Sequence, residues 1–178
     1  MYKNLLKKSI NNLVILLVLM ITIFTLSCSN STTTPQDESL KLQFNPVTYT
    51  VPIYNPADFS IMVVNVENLF AFSAEIVFDS SVAELDPDTI VPGGFWGTDI
   101  VELSVIESGR LNISISLQQT ANEDGISGNG TLLNISLEGI NPGTTNITFE
   151  NLQMIDENGD DVTGFDTIEI INGNLIVE

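Results

Sequence analysis

Residues Leu69 to Leu85 read LFAFSAEIVFDSSVAEL, and their spacing decides the fold. Phe70, Phe72, Ala74, Ile76 and Phe78 occupy every second position, with Ala71, Ser73, Glu75 and Val77 between them. Successive side chains of a strand point to opposite faces. A period of two therefore buries one face and offers the other to water or to a partner. Asp79-Ser80-Ser81 is a turn cluster that ends the strand, and Val82 and Leu85 resume the apolar pattern.

The same signature recurs outward from this stretch. Leu111, Ile113, Ile115 and Leu117 alternate with Asn112, Ser114 and Ser116, and Leu133, Ile135 and Leu137 with Asn134 and Ser136. Short runs at Leu40–Phe44, Val47–Ile53, Ser60–Val66, Glu84–Val91, Ile100–Glu107, Thr145–Gln153 and Ile168–Val177 complete the series. Turn signals separate them: Asn55-Pro56, Pro92-Gly93-Gly94, Ser108-Gly109, Gly125 to Gly130, Asn141-Pro142-Gly143, Asn158-Gly159 and Asn172-Gly173. No helical period is sustained. This predicts an all-β, two-sheet antiparallel sandwich of about nine strands.

Composition narrows the function. Apolar residues make up 43% and charged residues 16%, enough to build a core. Past Ser27 only Lys41 and Arg110 stand against 23 acids, a balance of −21. Such a surface has no basic patch for phosphates, so nucleic acid is excluded as a partner. Histidine is absent and Cys28 is the one cysteine. That removes His-based general acid–base chemistry, Ser-His-Asp and Cys-His nucleophiles, ordinary zinc sites and intrachain disulfides. Glycoside hydrolysis needs a carboxylate pair, and nothing selects two of these 23 acids. The expectation is a non-catalytic protein without a cofactor.

Lys3, Lys7 and Lys8 precede an apolar run from Leu13 to Leu26, of signal-peptide rather than membrane-spanning length. The run ends in Thr25-Leu26-Ser27-Cys28, which resembles the lipobox of bacterial lipoproteins. That resemblance implies a signal peptide over 1–27 and a diacylglyceryl group on the Cys28 thiol, anchoring the chain to a lipid bilayer. An uncleaved membrane anchor is the alternative. Both place the domain in the cell envelope, and Ser29 after the cysteine points to the outer membrane or cell surface. Residues 28–39, polar and containing Pro35, read as a flexible tether, and residues 40–178 as the domain.

The run Gly128-Asn129-Gly130-Thr131-Leu132-Leu133-Asn134-Ile135-Ser136-Leu137 resembles the G-x-G-T-L-x-x-I-x-F segment of cohesin domains, which bind dockerins in cellulosome scaffolds. Phe72 to Leu85 is similar to that family's strand and turn, with Ser80 where a proline is usual. Gly143–Phe149 with Asp156–Gly159 resembles its closing hairpin, and Asn172–Val177 its last strand. The resemblance spans about Leu40 to Glu178 and implies a jelly-roll-like cohesin fold. It also implies a dockerin-bearing partner, a link to polysaccharide breakdown, and calcium held by the dockerin rather than by this chain. On that footing the docking face falls on strands matching Phe70–Asp79, Ile100–Glu107, Leu111–Gln118 and Thr145–Gln153. Its outward candidates are Ser73, Glu75, Val77, Asn112, Ser114 and Ser116.

Two further features carry expectations. Trp96, within Gly93-Gly94-Phe95-Trp96-Gly97, is a candidate aromatic contact for a sugar or a partner if it is exposed, and a cap on the sandwich if it folds back. Direct polysaccharide binding by a carbohydrate-binding-module-like surface protein stays open on that residue. Asp156-Glu157-Asn158-Gly159-Asp160-Asp161 approaches a calcium loop, yet Asp161 replaces the turn glycine and Thr167 the bidentate acid. Asn158-Gly159 is better read as a two-residue hairpin turn.

Overall fold

The computed structural model describes residues 39–118 and 124–178, and the compact unit runs over Glu38–Glu178. Its strands are β1 (Lys41–Asn45), β2 (Thr48–Val51), β3 (Pro56–Leu69), β4 (Ala71–Val77), β5 (Ala83–Leu85) and β6 (Val91–Pro92). They continue as β7 (Ile100–Glu107), β8 (Arg110–Leu117), β9 (Ile126–Gly139), β10 (Gly143–Ile155), β11 (Glu169–Ile171) and β12 (Gly173–Val177). One sheet runs β11-β1-β3-β9-β5, with β6 also on β9; the other runs β2-β12-β10-β4-β8-β7. The expected two-sheet sandwich is present.

Inward-facing residues of the two sheets meet in one core. Phe72, Ala74, Ile76 and Phe78 come from the first-quoted stretch, and Leu111, Ile113, Ile115 and Leu117 from β8 beside it. Phe44 of β1 stacks on Phe149 of β10 at 4.6 Å and meets Phe59 of β3 edge-on at 6.1 Å, joining the sheets across the core. Removing a ring such as Phe72 costs about 3–5 kcal/mol, because the packed surroundings collapse only partly into the gap.

The structure redraws three boundaries and adds two parallel pairings. Two edge pairings, β1–β11 and β2–β12, are parallel in an otherwise antiparallel sandwich. Both arise because the chain changes sheets mid-run, between β1 and β2 and between β11 and β12. Asn172-Gly173 thus breaks the expected run Ile168–Val177 into two strands of different sheets. The expected strand Glu84–Val91 is interrupted by a 3-10 turn at Pro87–Thr89, where the Asp86 side chain accepts from the Asp88 N–H. Gly125 to Gly130, read as a breaker, lies largely inside β9. There β9 pairs with β3 through three register shifts, eased on the β3 side by Asn65 and Asn68 at φ 57° and 59°.

Candidate functional site: the outward face of the β10-β4-β8-β7 sheet

Register places the six predicted face residues side by side. Ser73 pairs with Ser114, Glu75 with Asn112, Ala71 with Ser116 and Val77 with Arg110. The odd-numbered residues of β4 and even-numbered ones of β8 point away from the core, since their neighbours Phe72, Ala74, Ile76, Ile113 and Ile115 are buried. The Ser114 hydroxyl donates to Ser73 Oγ at 3.0 Å across the strands.

Neighbouring strands extend each row. Val101 of β7 lies beside Ser116, Leu103 beside Ser114 and Val105 beside Asn112, while Gln153 and Glu150 of β10 flank Ser73 and Glu75. Along the strands the face therefore grades in chemistry. At one end Val101, Ala71 and Ile155 surround Ser116; at the other Glu75, Arg110, Glu150 and Glu107 gather. Arg110 hydrogen-bonds Glu75 and lies 3.6 Å from Glu150. A shallow groove of about 250 Å³ runs between Leu103, Ser73 and Gln153 at the apolar end.

The expected face includes the strand Ile100–Glu107, but the outward side chains of β7 are the part of it that sequence reasoning missed. Val101, Leu103 and Val105 are 54%, 67% and 51% exposed. Their alternation looks like a core stripe, and nothing in a single strand tells which apolar stripe will be covered. The β10 side is bent by a bulge at Asn151, φ 48°, between Glu150 and Gln153.

The face, order and connectivity of the strands can be set beside known structures. No family model and no curated protein matches the sequence. Among solved structures, a non-cellulosomal cohesin from the archaeon Archaeoglobus fulgidus matches with a TM-score of 0.63 at 15% identity, over 79% of this chain and 91% of that one. The third cohesin of ScaC from Acetivibrio cellulolyticus, in complex with the ScaB dockerin, gives 0.63 at 15%, over 78% and 98%. OlpA of Clostridium thermocellum, in a type I cohesin–dockerin complex, gives 0.62 at 15%, over 79% and 99%.

The fold is the cohesin fold.

Within this cohesin-like domain the other predicted sites can now be placed. Trp96 is corrected: it is 2% exposed and unavailable for contact. Its indole N–H donates to the Leu132 carbonyl at 2.9 Å, and the Gly93 N–H donates to the same oxygen at 2.8 Å. The loop lies so close to β9 that a Cβ on Gly93 would fall 1.9 Å from the Thr131 carbonyl oxygen, which is why glycine stands there. Trp96 caps the sandwich. The most exposed aromatic among the described residues is instead Tyr54, at 74% and φ 63°, in the turn before β3.

The acidic loop is also corrected. Ile155 and Asp161 bridge, so the turn spans 156–160 rather than two residues. The Asp156 carboxylate accepts from the N–H groups of Asn158 at 2.8 Å and Asp160 at 3.0 Å. Desolvation pushes its pKa up, but the hydrogen bonds from Asp160, Asn158 and Gly159 outweigh it and hold the value below 3.8. The turn after β4 is built likewise. The Ser81 hydroxyl and N–H both donate to Asp79, lowering its pKa, and the Asp79 N–H donates to Thr145 Oγ1 at 2.7 Å. Cys28, the expected signal peptide and most of the expected tether lie outside the described residues.

Proposed function

We propose that this protein is a non-catalytic adaptor whose outward β10-β4-β8-β7 face docks a dockerin-type partner. The observation that carries the reading is the face itself. Exposed Val101, Leu103 and Val105 stand beside the hydroxyls and amides of Ser73, Ser114, Ser116 and Asn112 on one open surface. Interface centres combine apolar anchors with hydrogen-bonding groups in this way. The two dockerin-bound neighbours share the fold, and cohesin domains work by binding rather than by catalysis. Leu103, the most exposed of the three, is the expected anchor, with Ser73, Glu75, Val77, Asn112, Ser114 and Ser116 around it.

The same reading places the domain in the cell envelope on an acylated Cys28, holding a polysaccharide-degrading protein at the surface. The lipobox-like Thr25–Cys28 supports the anchor, and metabolic labelling with a clickable fatty acid checks it against Cys28→Ser. Calorimetric titration of residues 39–178 against a dockerin panel, with calcium and with a chelator, tests the docking. Calcium-dependent binding by at least one dockerin is the expected result. Silence across the panel contradicts it.

A further inference from the structure

Strand β7 reads Ile100-Val101-Glu102-Leu103-Ser104-Val105-Ile106 before Glu107, and that heptad is a palindrome about Leu103 but for one exchange. Reversed, it is Ile-Val-Ser-Leu-Glu-Val-Ile. The strand is also an edge. It pairs with β8 in an unbroken register, and among the described residues no strand lies on its other side.

The hydrogen-bonding phase of that edge follows from the turn. Glu107 and Arg110 flank the two-residue Ser108-Gly109 loop, where Gly109 sits at φ 73°. Such a flanking pair exchanges both main-chain hydrogen bonds, and bonded pairs then alternate down the ladder. The Gln118 N–H donating to the Asp99 carbonyl at 2.9 Å fits this phase. Odd-numbered residues thus turn their main-chain groups to β8, and Ile100, Glu102, Ser104 and Ile106 turn theirs to the open edge.

Natural edges are blunted by charges, above all lysine, by proline, by bulges or by shortness, and of these β7 carries one mid-strand charge, Glu102. Residues 100–107 contain neither lysine nor proline, keep one register and leave Val101, Leu103, Val105 and Ile106 exposed. A cleft of about 470 Å³ lies along the same flank between β5 and β7, lined by Leu85, Ile106 and Gly109, so β7 stands clear of the other sheet.

We infer that β7 is a self-complementary interface, pairing antiparallel with β7 of a second copy about a two-fold axis through Leu103. In that register Val101 faces Val105 of the partner copy, Leu103 faces Leu103, Ile100 faces Ile106, and each Glu102 faces a Ser104. The bonded pairs fall on the even-numbered residues whose main-chain groups are free. A shift of two residues either way would set Glu102 against Glu102 or Val101 against Glu107. The two copies oppose each other through their −21 balance, and Asp99 would face Glu107 at both ends, so salt strengthens the dimer. The two docking faces would join into one surface with the Leu103 residues at its centre. None of this depends on what those faces bind.

Sedimentation equilibrium of residues 39–178 over a range of concentration and salt tests the pairing, with circular dichroism to confirm folding. The wild type forms a concentration-dependent dimer that tightens with salt. Ser104→Glu, which sets like charges opposite each other twice, weakens it roughly tenfold. Adding Glu102→Lys to Ser104→Glu turns both pairs into Lys–Glu and restores the dimer. A wild type that stays monomeric at every salt overturns the inference. So does a dimer indifferent to Ser104→Glu, or one that Glu102→Lys fails to rescue.

Discussion

Strands β4 and β7 lie two places apart in one sheet and carry the same alternation, yet they end in opposite environments. In β4 every second residue is buried, from Phe72 to Ile76, whereas Val101 to Glu107 of β7 are all exposed. What separates them is coverage. β4 has β8 and β10 on its flanks and the opposite sheet over its inner face, while among the described residues β7 pairs with β8 alone and only its first residue, Ile100, packs against the core. Apolar alternation specifies which side chains share a face; the neighbouring elements decide whether that face becomes core or exposed surface.

The two strands should differ most in stability. Phe72→Ala should cost about 3–5 kcal/mol in urea unfolding, and Leu103→Ala should stay within about 0.5 kcal/mol of wild type. Equal costs would mean that β7 is covered in solution. Next in size is Trp96→Phe, which narrows the ring and leaves the Leu132 carbonyl one donor short. A loss of about 1–3 kcal/mol is expected, with tryptophan fluorescence of the wild type blue-shifted as for a buried indole. A red-shifted, quenchable tryptophan would return Trp96 to the surface.

The smallest effect concerns the turn that ends β4. Asp79 has a folded pKa held below 3.8 by Ser81, so its contribution is fully present above the unfolded pKa and is lost as pH falls through the folded one. Ser81→Ala should move the Asp79 carboxyl titration up towards 3.8, read by carbon NMR. No movement would remove Ser81 as the cause.

Most of the fold was legible in the sequence because burial of one face writes a period of two into a strand. Phe72 to Phe78 and Leu111 to Leu117 therefore declared both their faces. The outward residues Ser73, Glu75, Asn112 and Ser114 came together as the period requires. What was not legible depended on neighbours distant in sequence. The Leu132 carbonyl that draws Trp96 inward, the sheet change at Gly173 and the strand path through Gly128 and Gly130 are set by tertiary contacts. So is the orientation of β7: its pairing with β8 turns Val101, Leu103 and Val105 to the outer face, although their alternation carries the mark of a core strand.

On the proposed function, the β7 stripe and the β4–β8 polar rows form one docking surface. Its most direct test is calorimetric titration of a calcium-loaded dockerin into wild-type domain and into Leu103→Asp, with melting temperatures measured alongside. The wild type should bind, the variant should lose at least roughly tenfold in affinity, and the melting curves should match. Unchanged affinity in Leu103→Asp, or a wild type that binds no dockerin, would contradict it.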